Sequence, residues 1–209
     1  MGMKARNGEL LNNDVEQRHA AILRAATRAF AQSGYRNTDV QDIADQAGVG
    51  KGTVYRHFGT KEELFLAAVD KGMSELTDTI LSRLQPVEDP IERMRVGLHV
   101  YFRFFDEHKD LVEIFVQERS EFRGRGKATY FTYHDNNVDV LEGILEDGIK
   151  KGLFRDVNVK RASQILADLV YGTVVANLMR DEPDRLVERA NDILEIYLKG
   201  IGAGESNTS

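Results

Sequence analysis

Two short helical patterns follow each other almost without a break between residues 40 and 58, and this spacing constrains the fold of the 209-residue chain more than any other feature. Two helices joined so tightly must cross at roughly a right angle, so the residue at the crossing has to be small and the turn has to admit a positive φ angle. Ala44 and Gly48 meet these two requirements, and Val49 and Val54 are placed to fill the space beneath the crossing. The segment therefore predicts a helix-turn-helix.

The second of these helices, Gly50 to His57, has an unusually polar outer face. In a helix-turn-helix the residues at the start of this helix meet base edges in the major groove, while flanking groups hold the phosphates. Gly52 has no side chain, which lets the groove wall approach the backbone closely. A capped helical hairpin with a merely solvated outer face remains the alternative. The expected DNA contacts are Thr38, Gln41, Lys51, Gly52, Thr53, Tyr55, Arg56, His57 and Lys61.

Helical spacing continues along the rest of the chain, and no strand-like alternation competes with it. Thr38 with Gln41, and Thr60 with Glu63, match capping boxes, and Gly34 follows the first amphipathic stretch where a left-handed C-cap would lie. Helices are expected at about 14–33, 38–47, 50–57, 60–85, 90–107, 110–122, 128–151, 158–180 and 184–200.

The predicted fold class is therefore all-α, with about nine helices in two unequal domains. Residues 1–13 are expected to form a flexible arm and residues 14–60 a three-helix DNA-binding domain. Residues 61–201 would form the larger helical domain that binds an effector and dimerises, and residues 202–209 a disordered tail.

Charge is distributed unevenly between these two parts. The formal net charge is −6, yet residues 1–60 hold eight Lys and Arg against six Asp and Glu, a balance of +2, so the other 149 residues carry −8. A basic surface suits phosphate binding, and an acidic surface keeps the larger part away from DNA. The helix-turn-helix is therefore the expected nucleic-acid surface.

Several classes of site lack support. The chain has no cysteine, which excludes disulfides and thiolate metal sites, and no run approaches the roughly 18 apolar residues of a membrane span, so we expect a cytoplasmic protein. The string GVGKGT is not a phosphate-binding loop, because Asp45 and Gly52 occupy the places of an essential glycine and hydroxyl.

The three histidines of the larger domain, His99, His108 and His134, never share one helix face at a spacing of four. No metal, cofactor or enzymatic activity is expected, although a catalytic cluster in a cleft of the middle helices would reverse this.

The larger domain offers candidates for two further surfaces. Aromatic rings with scattered polar groups suit a small hydrophobic or aromatic effector, although residues at such spacing are more often core. The candidates for the effector pocket are His99, Phe102, Phe105, Phe115, Gln117, Tyr130, Tyr133, His134, Asn137, Tyr171 and Asn177. The last two long helices have broad apolar faces that suit a homodimer interface, unless both faces are intramolecular core. The candidates there are Leu166, Leu169, Val170, Thr173, Val174, Ile193 and Tyr197.

Residues 38–65, TDVQDIADQAGVGKGTVYRHFGTKEELF, closely resemble the N-terminal signature of the TetR family of regulators, and the resemblance is strong over residues 14–70. It implies a nine-helix protomer, an Ω-shaped homodimer, and release from operator DNA when a small molecule enters the C-terminal domain. By matching position, it also implies DNA contacts from Thr38, Lys51, Gly52, Thr53, Tyr55, His57 and Lys61. Gln41 departs from the family, which more often has an apolar or basic residue there.

The resulting hypothesis is a repressor whose two protomers insert Gly50 to His57 into successive major grooves of a palindromic double-stranded operator. An effector beside the fourth helix would change the separation of these two helices. The alternative is a DNA-binding protein of the same fold without a small-molecule effector, controlled by oligomerisation or by a protein partner. A well-packed larger domain without a cavity would favour that alternative.

Overall fold

The computed structural model describes residues 2–180 and 185–202, and these residues form nine α-helices with no strand among them, which confirms the all-α prediction. One 3₁₀ turn covers Arg123–Arg125. The helices are α1 (Gly2–Asn37), α2 (Val40–Gln46), α3 (Lys51–Phe58), α4 (Lys61–Leu84), α5 (Pro90–Glu107), α6 (Lys109–Glu121), α7 (Thr129–Lys150), α8 (Val159–Leu178) and α9 (Leu186–Ile201).

Helix α1 differs from its prediction at its start and agrees with it near its end. Its backbone is helical from Gly2, where the sequence suggests a flexible arm. No proline or cap separates residues 2–13 from the amphipathic stretch that follows, and extending an existing helix costs far less than nucleating one. Gly34 interrupts the helix with φ 76° and ψ 157°, close to the predicted stop. The predicted tail lies outside the described residues from residue 203 onward.

The start of α2 corrects one predicted capping box. Its N-cap is Asp39, whose carboxylate accepts a hydrogen bond from the Gln41 N–H at 2.8 Å. Thr38 is buried instead, and its hydroxyl lies within hydrogen-bonding distance of the carbonyl oxygens of Gly34, at 2.7 Å, and Ala29, at 3.1 Å. The hydroxyl of Thr38 is thus used by the last turn of α1, which leaves the cap to the next residue.

The predicted cap at Thr60 and the tight turn are confirmed, but the capping box forms only in part, because the Thr60 N–H donates to the Phe58 carbonyl at 2.9 Å and not to Glu63. At the start of α4 the Glu63 N–H donates to the Thr60 hydroxyl oxygen at 3.1 Å, and that hydroxyl donates to the Glu63 carboxylate at 2.9 Å. Gly48, between α2 and α3, has φ 68°, the left-handed conformation that the crossing requires. Ala44 and Val54 are buried below this crossing.

The helices divide into two compact units. The first contains the chain up to Gly72 together with Glu113–Thr129, and the second contains Met73–Val112 and the chain from Tyr130 onward. This division differs from the boundary expected after residue 60. The first turns of α4 bury Leu64 and Phe65 in the first unit, and the second half of α6 belongs there as well.

Aromatic rings form much of the core of the first unit. The Phe30 and Phe65 rings lie 5.0 Å apart, and the Tyr35 ring lies 5.4 Å from Phe65 and 4.9 Å from Phe122. Gln117 of α6 completes the arrangement, because its side-chain oxygen accepts from the Tyr35 N–H at 3.0 Å and its side-chain nitrogen donates to the Phe30 carbonyl at 3.2 Å. The end of α1, the start of α4 and the end of α6 are thereby held together.

In the second unit, α5 packs against α9 and also caps it. Helix α9 has no side-chain cap from its own N-cap residue Arg185. The carboxylate of Asp106 at the end of α5 accepts hydrogen bonds from the N–H groups of Leu186, at 2.8 Å, and Val187, at 3.0 Å. Asp106 therefore satisfies two N–H groups that the start of a helix leaves without partners.

Two glycines of α7 give a direct test of packing in the second unit. Gly148 is buried, and a Cβ atom on it would overlap the ring of Phe154, which is only 3% exposed. We expect Gly148→Ala to lower the free energy of unfolding by about 1–3 kcal/mol, measured by chemical denaturation, because overpacking must displace a buried ring. Gly143→Ala is the matched control, since that glycine is exposed and a Cβ there meets nothing within 4 Å. It should raise stability by up to about 1 kcal/mol, and equal effects at both positions would contradict this packing.

Candidate DNA-binding surface and effector cavity

Helix α3 presents the predicted polar face because its two apolar residues, Val54 and Phe58, are buried. The structure therefore brings six of the predicted DNA contacts onto the accessible surface of one helix. Gly52, Tyr55 and Arg56 are exposed, and Lys51, Thr53 and His57 are half-buried.

Lys51 is held by an ion pair at the base of this surface. Its ammonium lies 2.9 Å from a carboxylate oxygen of Asp39. The hydrogen bond from the Gln41 N–H, followed by that from Lys51, lowers the pKa of Asp39 below its usual value. The same contact raises the pKa of Lys51, so its ammonium remains charged while it pairs with Asp39.

The three other predicted contacts lie outside α3. The ammonium of Lys61, at the start of α4, donates to the Arg36 carbonyl at 3.2 Å and lies 4.9 Å from the centre of the Tyr35 ring. Partial burial lowers the pKa of Lys61. Gln41 is exposed and donates to Asp45 at 2.8 Å. Of these three residues only Thr38 is buried, and its hydroxyl contacts carbonyl oxygens of α1.

Sequence reasoning missed His19, which lies beside this surface on α1. Its ring stacks on Phe58 with centres 4.6 Å apart and meets the edge of His57 at 5.9 Å. Burial, followed by the nearby His57 and Lys71, lowers the pKa of His19. The signal available in the sequence was a histidine at the start of the buried stripe of α1, one turn before Ile22 and Leu23.

The second unit contains a partly open cavity of about 110 Å³ between α4, α5, α7 and α8. Most of its lining is apolar, and five residues carry polar side chains. The lining residues are Met73, Ile80, Leu84, Arg93, Met94, Gly97, Leu98, Tyr101, Tyr130, His134, Asn137, Val140, Leu141, Ile144, Leu166, Ala167 and Val170.

Three of the predicted pocket residues, Tyr130, His134 and Asn137, line this cavity. They share one face of α7, at intervals of four and three residues, which explains why they lie together. The hydroxyls of Tyr130 and of Tyr101, a residue absent from the prediction, lie 2.8 Å apart. Burial is the main cause that raises the pKa of both phenols, so both stay protonated at neutral pH.

The remaining pocket predictions lie elsewhere. Phe102 and Phe105 are fully buried core residues, and Phe115 and Gln117 belong to the first unit. His99 pairs with Asn191 at 3.0 Å, and the Tyr171 ring contacts Tyr130 at 4.8 Å without lining the cavity. Tyr133 is half-buried away from the lining. Asn177 lines a smaller cavity of about 60 Å³ with Phe105. Helical spacing alone could not distinguish these packing roles from a pocket.

Sequence reasoning also missed Arg93, although α5 carried a usable signal. Arg93, Gly97 and Tyr101 follow one another at intervals of four residues and therefore share one helix face. All three line the cavity. A charged residue on the same stripe as a glycine and a tyrosine is the pattern that would have indicated a polar position in an apolar pocket.

The candidate dimer residues divide between core and surface. Leu166 and Val170 line the cavity, and Val174 and Ile193 are buried in the protomer's own core. Leu169 is 44% exposed, and Thr173 and Tyr197 are half-buried. Two apolar neighbours outside that candidate list are more exposed, namely Ile165 on α8 at 62% and Ile196 on α9 at 70%. The outward apolar row on α8 is thus offset from the predicted one.

The part of the chain that the structure describes contains neither a cluster of metal ligands nor a membrane-spanning helix. No group of three or more His, Asp or Glu side chains within residues 14–180 and 185–202 is arranged to hold a metal ion. In the same part of the chain, no helix is both long enough and apolar enough to cross a membrane.

Comparison with known proteins gives matches over most of the chain. The family model described as "Bacterial regulatory proteins, tetR family" matches residues 22–68, and that described as "Tetracyclin repressor-like, C-terminal domain" matches residues 87–174. The chain is 26% identical over 187 residues to the fatty acid metabolism regulator protein of Bacillus subtilis, covering 88% of this chain and 95% of that protein. It is 29% identical over 168 residues to the transcriptional repressor KstR2 of Mycobacterium tuberculosis, covering 77% and 81%. The solved structure of FadR from Bacillus halodurans has the same fold, with a TM-score of 0.78 at 23% identity over 88% of this chain and 95% of that one.

The ion pair below α3 predicts a measurable change in titration. In Lys51→Met we expect the pKa of Asp39, followed by NMR, to rise from its wild-type value yet stay below the ordinary 3.8, because the Gln41 N–H still donates. Since the folded-state pKa is lowered, the stabilisation is present above the unfolded pKa and is lost as the pH falls through the folded pKa. Lys61→Met is the control and should raise the pKa of Asp39 less, because Lys61 is its weakest neighbour. An unchanged pKa in Lys51→Met would show that the ion pair does not form in solution.

Proposed function

Because the chain belongs to the tetR family of bacterial regulatory proteins and is a DNA-binding transcriptional regulator, we propose that α3 reads a palindromic operator and that an apolar effector in the α4–α5–α7–α8 cavity releases the protein from it. The protein then acts as a repressor in the absence of its effector. The support for the two halves of this proposal comes from different units of the structure.

DNA reading is supported by the surface of α3. Tyr55 and Arg56 project from the helix, and Lys51 supplies a cation directed by Asp39. A Cβ atom on Gly52 would meet no protein atom within 4 Å, so nothing inside the protein requires a glycine there. Close approach of the groove wall gives Gly52 a role, and Lys61 at the start of α4 is placed to hold a phosphate.

The effector half is carried by one observation, the apolar cavity. Protein interiors are generally close-packed, and an apolar cavity with a few polar groups is the usual form of a small-molecule site. Its lining suits a hydrophobic chain or ring better than a sugar or a nucleotide. The Bacillus subtilis relative is named as a regulator of fatty acid metabolism, which supports an acyl compound as the effector class.

Helix α4 supports coupling between effector and operator. It begins with Lys61, in the first unit, and later contributes Met73, Ile80 and Leu84 to the cavity lining. A ligand that binds better to one position of α4 than to another shifts the population toward that position, by no more than the difference in affinity. Operator affinity falls if the favoured position of α4 suits DNA less well.

The cavity also bears on the alternative, a regulator of the same fold without an effector. A closely packed second unit would favour that alternative, whereas the 110 Å³ cavity favours a ligand. The two are separated by operator binding measured with and without apolar ligands. If no such ligand changes operator affinity, control by a protein partner or by oligomerisation becomes the better explanation.

A substitution at Gly52 tests DNA reading without damage to the fold. The operator is first identified by selection of random duplexes with the full-length protein. We expect Gly52→Leu to weaken operator binding at least about 100-fold, because the new side chain holds α3 away from bases whose contacts contribute about 1–3 kcal/mol each. Fluorescence anisotropy with the selected duplex measures this loss.

The unfolding free energy of Gly52→Leu should equal or exceed that of the wild type, since leucine favours a helix more than glycine and its Cβ atom meets nothing within 4 Å. Gly143→Leu on α7 is the matched control, an exposed helical glycine that should leave operator affinity unchanged. Full operator affinity in Gly52→Leu would show that α3 does not enter the groove.

A palindromic operator requires a symmetric dimer, and we propose that the exposed apolar row of α8 and α9 forms it. Ile165 and Leu169 lie four residues apart on α8, and Ile196 extends the apolar surface on α9. Paired from two protomers, α8 and α9 would form a four-helix interface.

Leu169→Arg is expected to convert the dimer into a monomer in sedimentation analysis, because the interface would have to bury a charge without a partner. Leu81→Arg places the same charge on α4, at a residue that is similarly exposed at 46%, and should leave the dimer intact. A dimeric Leu169→Arg would place the interface on another surface of the protein.

A further inference from the structure

An arginine without a partner among the described residues lines the mostly apolar cavity. Arg93 is half-buried on α5, and its Nε atom is buried and has no hydrogen-bond partner in the described part of the chain. Its side chain forms no ion pair there either, whereas Arg95, two residues on, pairs with Glu92 at 3.1 Å. A guanidinium remains charged in proteins, and a buried N–H donor such as this Nε–H is costly unless it has a hydrogen-bond partner.

A second polar side chain of the lining is also incompletely satisfied. The His134 side chain is only 5% exposed, and its Nε2 atom has no hydrogen-bond partner among the described residues. The nearest carboxylate oxygen, of Asp168, lies 3.9 Å away, beyond hydrogen-bonding distance. The other ring nitrogen, Nδ1, faces Asp135 at 3.4 Å. The cavity thus holds two buried nitrogen atoms, Nε of Arg93 and Nε2 of His134, that no described residue provides with a hydrogen bond.

We propose that the cavity binds an organic carboxylate, an apolar body ending in an anionic group that pairs with Arg93 and accepts a hydrogen bond from the Nε2–H of His134. This inference rests on the proposed function, which assigns the effector to this cavity. A carboxylate accepts two parallel hydrogen bonds from a guanidinium, a match in geometry as well as charge. The apolar lining from Met73, Leu98, Ile144 and Leu166 surrounds the remainder of the ligand.

The volume of the cavity limits the size of this ligand. A water-sized group needs about 10–15 Å³, so 110 Å³ accommodates roughly seven to eleven such groups. That range corresponds to a medium-chain fatty acid or to a carboxylate with a single aromatic ring. A long-chain acid exceeds it and would have to displace lining side chains or extend out of the cavity.

Octanoate and 1-octanol are suitable probes because they share a chain and differ in charge. We expect octanoate to bind the full-length wild type at least about tenfold more tightly in calorimetry, the effect of one charge-assisted hydrogen bond. Arg93→Gln should reduce this preference to less than about threefold, and Arg93→Lys should restore part of it. Arg95→Gln, on the same helix, is the matched control and should keep the full preference, and far-ultraviolet circular dichroism checks that each variant is folded.

Equal binding of the two probes to the wild type would overturn the proposal and indicate that water satisfies Arg93. An undiminished preference in folded Arg93→Gln would overturn it as well. Operator binding measured with the same probes separates this proposal from the function it rests on. If both probes release the protein from its operator equally well, the cavity remains the effector site, but the effector need not be a carboxylate. If neither probe binds, the carboxylate proposal falls, while selection of an operator still tests DNA reading independently.

Discussion

The contact of four aromatic rings in the first unit is the interaction on which the polar surface of α3 depends. Phe30, Tyr35, Phe65 and Phe122 come from α1, α4 and the end of α6, and their ring centres lie 4.9–5.5 Å apart where they meet. Aromatic pairs of this kind contribute about 0.5–1.5 kcal/mol each beyond their burial. Gln117 also forms hydrogen bonds with backbone groups of Phe30 and Tyr35, and these bonds hold the end of α1 in place. The chain enters α2 and α3 directly after this point.

The second unit combines well-packed, hydrogen-bonded helices with a cavity that side chains do not fill. Asp106 joins α5 to the start of α9, and the Tyr101 and Tyr130 hydroxyls pair with each other at the cavity wall. These groups satisfy one another, whereas Arg93 and His134 in the same wall do not. An apolar space bordered by buried nitrogen atoms without hydrogen-bond partners is unfavourable for a protein that needs only a stable core. That cost is reasonable where a ligand completes the hydrogen bonds.

Several features were predictable because they depend on neighbours in the sequence. The helices from α5 to α9 lie within two residues of their predicted ends, since helical periodicity, Pro90 and Asn158 act locally. The outward face of α3 was predictable for the same reason. The predicted cap at Thr38 was wrong because the Thr38 hydroxyl lies within hydrogen-bonding distance of the carbonyls of Ala29 and Gly34 in α1. The sequence pattern does not show how close the end of α1 lies to this side chain.

By itself the sequence determined the all-α class, the tight turn at Gly48, the polar face of α3 and the family signature in residues 38–65, because each is encoded by spacing along one short segment. Only the tertiary structure decided that Arg93 and Tyr101 join Tyr130 and His134 around one cavity, and that Phe115 lies in the other unit. It also decided that Leu166 and Val170 face inward while Ile165 and Leu169 face outward. The physical reason is that an apolar stripe on a helix must be buried against some partner, and which partner covers it depends on helices far away in the chain.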